Sequence, residues 1–177
     1  MLVIGIDVGL KGGVAVVNTR ALLYAEEFKF KKETYFEDCL SKLNPIVSKY
    51  SKYKNSICYM ENVHAFPRQG VVSTFTSGVL FGLSYAVMRN AFNVKLVNPR
   101  TWQSYFGILD SKHYGKCNSA YSKRKKRKKL SIKCVSNLYP AWKDRITKDG
   151  VADAVLIATY GIHSEVKNLA KLDMYFK

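Results

Sequence analysis

A chain of 177 residues, of which 47% are hydrophobic, is long and apolar enough to bury a core, which excludes wholesale disorder. Its 29 Lys and Arg residues against 13 acids give a net charge of +16 at pH 7, which favours a polyanionic partner, nucleic acid before an anionic membrane. The four cysteines form no CxxC pair, and neither a signal-peptide pattern nor an uninterrupted apolar run of bilayer length is present. We therefore expect reduced thiols in a soluble, intracellular protein of the cytoplasm or nucleoid, and a phage or viral origin is compatible with this.

The chain begins with a predicted buried strand that ends in an acid. Residues 2–6 are apolar and mostly β-branched, which is typical of a strand buried on both faces, and Asp7 follows them. Glycines at 9, 12 and 13 and a second apolar run at residues 14–17 predict a β-hairpin with the carboxylate near its mouth. A carboxylate there is costly unless it is paired, which a divalent cation would achieve; an ordinary turn-capping role is the alternative.

The following elements alternate between strands and helices. A third strand precedes a helix with Thr34 as its N-cap and Glu37 in a capping-box position, and a fourth strand then runs into a second acid, Glu61. A second helix and a fifth strand complete the order β-β-β-α-β-α-β, which predicts an α/β fold with a five-stranded mixed sheet flanked by α-helices. The predicted strands are residues 22–30, 56–61 and 93–98, and the predicted helices are residues 34–52 and 72–90.

The second predicted helix has an apolar stripe and a small-residue patch. Gly78 and Gly82 lie four residues apart, which in a soluble helix is most often a sign of close packing in the core and sometimes of a subunit contact. The stripe is expected to be the buried face and consists of Val72, Phe75, Val79, Leu83 and Ala86.

The excess positive charge is concentrated after the fifth strand. Between Arg100 and Lys148 there are 14 Lys or Arg residues against two acids. The densest run, residues 123–129, repels itself and is expected to be mobile or weakly helical without a partner. A helix should follow, with Leu130, Cys134, Val135 and Leu138 inward, and a last helix should run from about residue 150 to residue 163.

Four carboxylates form the candidate catalytic and metal-binding set: Asp7, Glu61, Asp149 and Asp153. Two follow buried strands, and two lie one turn apart near the start of the last helix. Such a group would repel itself by several kcal/mol unless cations neutralise it. Oxygen ligands select Mg²⁺, with Mn²⁺ as a substitute, and two such ions per site are the usual device for hydrolysing a phosphodiester. Singly, each acid also has an ordinary explanation as a helix cap, an ion-pair partner or a solvated strand end.

Several segments of the chain form a joint pattern. They are Ile4-Gly5-Ile6-Asp7-Val8-Gly9 with Gly12-Gly13, Met60-Glu61-Asn62-Val63, Asn98-Pro99-Arg100-Thr101-Trp102, Leu138-Tyr139-Pro140 and Gly150-Val151-Ala152-Asp153-Ala154-Val155-Leu156-Ile157-Ala158. From Leu2 to about Gly161 this pattern resembles the RuvC family of Holliday junction resolvases. Gln69-Gly70 with Ser73, Phe75 and Gly78 resembles phage-type members most closely.

The resemblance implies an RNase H-like fold, one nuclease domain over residues 1–177 with a basic DNA-binding insertion at about 110–130, and a homodimer. It implies a Mg²⁺-dependent crossover junction endodeoxyribonuclease of DNA recombination and repair, which nicks two symmetric strands of a four-way junction. Asp7, Glu61 and Asp153 match the family's metal-binding acids. Asp149 lies four residues before Asp153, where many bacterial members have a spacing of three.

The candidate DNA-binding residues come from loops and from the basic run. Bacterial members of the family tend to have an aromatic residue three positions after the Glu; here that position is His64, with Phe66 two further on, and either would stack on a base. The other candidates are Lys11, Arg68, Arg100, Lys116, Lys123, Arg124, Lys125, Lys126, Arg127, Lys128 and Lys129, which would grip phosphates.

Four alternatives remain open at this point. A related RNase H-like nuclease would use the same acids on other branched DNA or on an RNA–DNA hybrid, and a non-catalytic nucleic-acid-binding protein would use only the basic run. An actin-like or sugar-kinase fold also begins with Asp-x-Gly and a glycine-rich hairpin, but it needs a second large lobe for which the chain has no room. A structural zinc site at His113, Cys117 and Cys134 lacks paired ligand spacing.

Overall fold

The structure, a computed structural model, describes residues 1–31, 33–65, 69–115, 117 and 119–175, with side chains described up to residue 169. These residues form a five-stranded sheet in the order β3-β2-β1-β4-β5. β1 pairs with β2 and β2 with β3 in antiparallel fashion, whereas β1–β4 and β4–β5 are parallel, which confirms the predicted mixed sheet. The strands are β1 (Leu2–Asp7), β2 (Gly13–Asn18), β3 (Leu22–Glu27), β4 (Ser56–Glu61) and β5 (Asn93–Val97).

Helices cover both faces of the sheet. One core joins β1, β2 and β4 to α1 and α2, and the other joins the opposite sheet face to α3, α4 and α5. Thr34 precedes α1 as predicted, but its hydroxyl donates to the Asp38 carboxylate, so the expected capping box with Glu37 does not form. The helices are α1 (Tyr35–Tyr50), α2 (Val71–Arg89), α3 (Pro99–Tyr105), α4 (Ala120–Leu138) and α5 (Asp149–Tyr175).

The two-residue period of the strands decides which face receives the acids. In β1, Ile4 and Ile6 pack on the α1–α2 side, whereas Val3 packs on the α5 side. Gly5 shares the α5 side, and a Cβ there would lie 2.2 Å from the backbone oxygen of Ala154. Only glycine lets α5 lie this close to β1, and Asp7, two residues on, therefore faces α5.

The basic run is helical, which agrees with the weakly helical alternative and differs from the mobile one. It lies inside α4, whose first turn is closed by a reciprocal capping box between Ser119 and Ser122. Its C-terminal half is anchored by the buried side chains of Ser131 and Val135. Tertiary packing and capping thus outweigh the repulsion among the cations, although Leu138 is 43% exposed rather than inward.

Helix α2 exposes much of its predicted core stripe, contrary to the expectation, although Leu83 packs partly buried against the core that α1 and α2 share. Its buried residues are Leu80, Ser84 and Met88, which pack with α1, whereas Val72 is 77% and Phe75 66% exposed. Apolar side chains project from most sides of α2. The position of α1, rather than the periodicity of the sequence, therefore determines which side is buried.

The small-residue patch on α2 is also uncovered. A Cβ at Gly78 or Gly82 would meet no atom within 4 Å, so neither glycine serves close packing within the described chain. Among the described residues, α2 alone is long and apolar enough to suit a membrane span, and 17% of its apolar 18-residue segment is buried. Its packing on α1 through Leu80 and Met88 makes it part of the folded core.

Candidate active site

Asp7 and Glu61 end neighbouring parallel strands. The β1–β4 register pairs Ile6 with Met60, so the next residue of each strand is one of the two acids. Adjacent strands lie about 4.8 Å apart, and both acids extend the side-chain series that faces α5. The sheet therefore places two carboxylates side by side at the carboxyl ends of β1 and β4.

The start of α5 supplies the other two carboxylates. Asp149 is the first residue of the helix and Asp153 lies one turn later. Gly150 lets this turn contact the β1–β2 hairpin, because a Cβ there would lie 2.2 Å from the backbone oxygen of Lys11. The structure thus brings all four predicted acids to one cleft of about 730 Å³.

Burial and mutual repulsion raise the pKa values in this cleft. Burial is the largest of the causes that raise the pKa of Asp7 well above its usual range, and the negative charges of Glu61, Asp153 and Asp149 raise it further. Burial raises the pKa of Glu61 to about 7, with a further contribution from Asp153. The pKa of Asp153 rises to about 6 because of burial and the charge of Asp149, and the Ser131 hydroxyl opposes this rise.

Trp102, which belongs to the Asn98–Trp102 segment of the sequence pattern, is a residue of the candidate site. It is fully buried, and its indole Nε1 donates a hydrogen bond to Glu61 Oε2 over 3.0 Å. This bond lowers the pKa of Glu61 against the effect of burial and holds one carboxylate oxygen in place. The signal was the segment after the fifth strand, where Pro99 begins α3 and points the helix back towards the neighbouring β4.

Helix α4 forms a basic wall over the acids. Arg124, Arg127 and Lys128 share one helix face and line the cleft. The Lys128 ammonium forms an ion pair with the Asp149 carboxylate. The positive charges of Lys128 and Arg127 also lower the pKa of Asp153. Cations of the basic run therefore interact electrostatically with the acids of the cleft.

The other predicted DNA-binding residues lie around this cleft or outside it. His64 and Arg100 line an adjoining cavity of about 360 Å³ that also includes Glu61 and Arg127. Lys123 lines a further cavity beside α4. Lys11 in the hairpin turn and Lys125, Lys126 and Lys129 on α4 are exposed, whereas Phe66, Arg68 and Lys116 lie outside the described residues.

Two polar residues of the cleft were not singled out from the sequence. Ser77 projects from the first turns of α2 beside Ser73, which belongs to the phage-type pattern, and Gln103 projects from α3. No charge or motif marks Ser77 or Gln103 in the sequence, so only the packing of α2 and α3 beside the strand ends reveals them. They give the cleft uncharged hydrogen-bonding groups on the side opposite α4.

The donor set fits a hard divalent cation. All four acids offer oxygen ligands, and Asp153 Oδ1 is buried without a hydrogen-bond partner in the described part of the chain. A cation would satisfy this atom and lower the raised pKa values. Within the described residues, no three Asp, Glu, His or Cys side chains already have the spacing of a metal site. The carboxylates would therefore close around an ion on binding.

The fold matches that of two solved RuvC structures. No family model and no curated protein matches the chain. It is similar to a structure of Thermus thermophilus RuvC in complex with a Holliday junction substrate, with a TM-score of 0.66, 19% identity and coverage of 94% of this chain and 96% of that chain. A second Thermus thermophilus RuvC structure gives a TM-score of 0.60 and 16% identity over 94% of this chain and 97% of that chain. The predicted RNase H-like fold is confirmed.

The raised pKa values predict that the metal-free protein loses stability as pH rises. Glu61 titrates at about 7 in the folded state against 4.5 as its ordinary value, so the folded state holds this proton more tightly. The free energy of unfolding should therefore fall between about pH 4.5 and pH 7, by about 1 kcal/mol or more. Urea unfolding in EDTA across this range measures it.

The Glu61→Gln variant is the control for this prediction, because it removes the titrating group and should flatten the fall in stability. Equal pH profiles for the wild type and the variant would show that Glu61 does not carry the effect.

Proposed function

We propose that this protein is a structure-specific DNA endonuclease that resolves four-way (Holliday) junctions by paired symmetric nicks. The observation that carries the proposal is one cleft in which Asp7, Glu61, Asp149 and Asp153 lie beneath the cationic face of α4. Acids without such a wall would repel DNA, and a basic helix without the acids would only bind it. The similarity to a RuvC structure that contains a junction substrate supports the choice of substrate.

Mg²⁺ is the proposed cofactor, with Mn²⁺ as a substitute, at two ions per site. When bound, the ions would supply Lewis-acid stabilisation of the reacting phosphate and activation of water. Asp7, Glu61 and Asp153 would hold them, with Asp149 as the fourth ligand. Trp102 restricts the Glu61 carboxylate, and the Ser131 hydroxyl contacts Asp153, so both acids are oriented before an ion arrives.

The face of α4 that lines the cleft would bind the substrate backbone. Arg124, Arg127 and Lys128 lie opposite the acids, so a DNA strand between them would have its phosphates on the basic side and the scissile bond at the acidic floor. The basic insertion predicted at about residues 110–130 would then include the first half of α4 (Ala120–Leu138), within one nuclease domain of residues 1–177. Phosphate contacts of this kind make binding strongly salt-dependent.

A homodimer through α2 would provide the paired nicks. The exposed residues Phe75, Gly78 and Gly82 and the half-buried Val79 are spaced so that they share one side of this helix. An exposed apolar stripe with small residues permits close approach of a second helix, and a second copy of α2 is self-complementary to it. Ser73 and Ser77 on the same helix line the cleft, so this interface would sit beside the active site.

Asp7→Asn should abolish cleavage while retaining junction binding, because it removes one ligand carboxylate and one repulsive charge. We expect at least a 100-fold loss of rate, about 2.7 kcal/mol of transition-state stabilisation. The measurement uses labelled four-way junction, Y-fork, duplex and RNA–DNA hybrid with Mg²⁺, together with a binding assay.

Asp144→Asn, which neutralises an exposed acid outside the cleft, is the matched control and should cut normally. Wild-type cleavage of forks or hybrid in preference to the junction would indicate the related nuclease instead. An Asp7→Asn variant that cuts at the wild-type rate would remove Asp7 from the mechanism.

The two faces of α4 provide a charge-matched test of the basic wall. Replacing Arg124, Arg127 and Lys128 by Gln should weaken junction binding and lower the slope of log affinity against log salt by about 2–3. Replacing Lys125, Lys126 and Lys129 by Gln removes the same net charge from the other side and should have a smaller effect. Equal losses for both triple variants would mean that net charge alone determines affinity.

Phe75→Glu should convert the dimer into monomers, because it places a charge on the apolar face of α2. Sedimentation at micromolar concentration should report a dimer for the wild type and a monomer for the variant, which should also uncouple the two nicks. Phe36→Glu on α1, where the side chain is 50% exposed, should remain dimeric. A monomeric wild type would contradict paired nicking by a dimer.

A further inference from the structure

A second cavity lies beside the candidate active site, between the connection from α3 to α4 and the first turns of α4. Its volume is about 500 Å³, which is within the range of small-molecule sites. Its lining includes Leu109, Ser111, Tyr114, Lys123 and Arg127. None of the four acids belongs to this lining, so the cavity is chemically different from the cleft next to it.

The walls of this cavity combine an apolar ring surface with cations. Tyr114 is held in place because its hydroxyl donates to the backbone oxygen of Ile108 over 2.5 Å, and Leu109 lies beside it in the lining. Lys123 and Arg127 contribute positive charge from α4, and Ser111 contributes a hydroxyl. A fixed aromatic ring beside two cations matches a nucleotide, with the base against Tyr114 and a phosphate near α4.

Arg127 connects this cavity to the acids. It lines both the cavity and the cleft, and its positive charge opposes the burial that raises the pKa of Asp153 on one side and the pKa of Tyr114 on the other. A strand that crosses the acids therefore has the cavity within reach of a neighbouring nucleotide.

From this placement we infer that the cavity is a nucleobase subsite that receives one unstacked base of the cleaved strand next to the scissile phosphate. The inference rests on the proposed function and deepens it, because the subsite would determine the sequence preference of cleavage. Unstacking a base costs a few kcal/mol and costs least where the duplex is already interrupted, as at a branch point. Leu109, Tyr114 and Ser111 would be the residues that discriminate between bases.

Photo-crosslinking tests the subsite without cleavage. The Asp7→Asn protein is bound in EDTA to junctions that carry one 5-iodouracil at successive positions around the branch point, and the crosslinked peptide is identified by mass spectrometry. We expect Tyr114 to crosslink at one position beside the scissile phosphate. Tyr114→Ala should lose this product, whereas Tyr121→Ala, which removes a 77% exposed tyrosine of α4 outside the cavity lining, should retain it.

Cleavage of a junction library by the otherwise wild-type enzyme gives the second measurement. Tyr114→Ala should reduce the ratio between best and worst cut sequences at least tenfold, and Tyr114→Phe should retain most of the preference because it keeps the ring. Tyr114 crosslinking in a protein that does not cut junctions would support the subsite and overturn the proposed reaction. Junction cutting with no Tyr114 crosslink, or with an unchanged preference in Tyr114→Ala, would overturn the subsite and leave the reaction intact.

Discussion

The close approach of α5 to β1 is the constraint on which the site depends. Gly5 has no space for a side chain, and the buried residues that follow Asp153 hold the helix against the sheet. The first turn of α5 therefore cannot move away from the ends of β1 and β4, although each pair of ionised carboxylates about 4 Å apart repels by about 4 kcal/mol at an effective dielectric constant of 20. Packing energy elsewhere in the core keeps the four acids together.

The opposite charge is supplied by α4 and not by the sheet. Two helices adjacent in sequence thus bring opposite charges to the strand ends, since α5 carries two of the four acids, Asp149 and Asp153, and α4 carries the cations that face them. Rigid placement matters because Arg127 reaches two cavities of different character, one acidic and one partly apolar. A mobile basic tail would hold a DNA strand in many registers, whereas a capped and anchored helix would hold it in few.

Much of this arrangement could be predicted from the sequence because it follows from local periodicity. The two-residue period and the acids after two buried strands predicted the neighbourhood of Asp7 and Glu61. The orientation of α2 could not be predicted, because apolar residues surround the helix and the position of α1 selects the buried face. The Trp102–Glu61 bond and the Tyr114 cavity depend on how a helix and a loop pack after the fifth strand, for which no spacing rule exists. The sequence left open whether the basic run is mobile or weakly helical, because anchoring by Val135 is a tertiary effect.

The ion pair between Lys128 and Asp149 couples the two ligands that the site would bind. If Asp149 serves as a metal ligand, as proposed, its carboxylate would no longer hold the Lys128 ammonium, which would then be available to a phosphate oxygen. Each ligand would therefore increase the affinity of the other, and thermodynamic linkage makes the two increases equal. DNA affinity would then rise with the divalent ion concentration, whereas ordinary salt screening lowers it. This opposite dependence would follow from the single contact between Lys128 and Asp149.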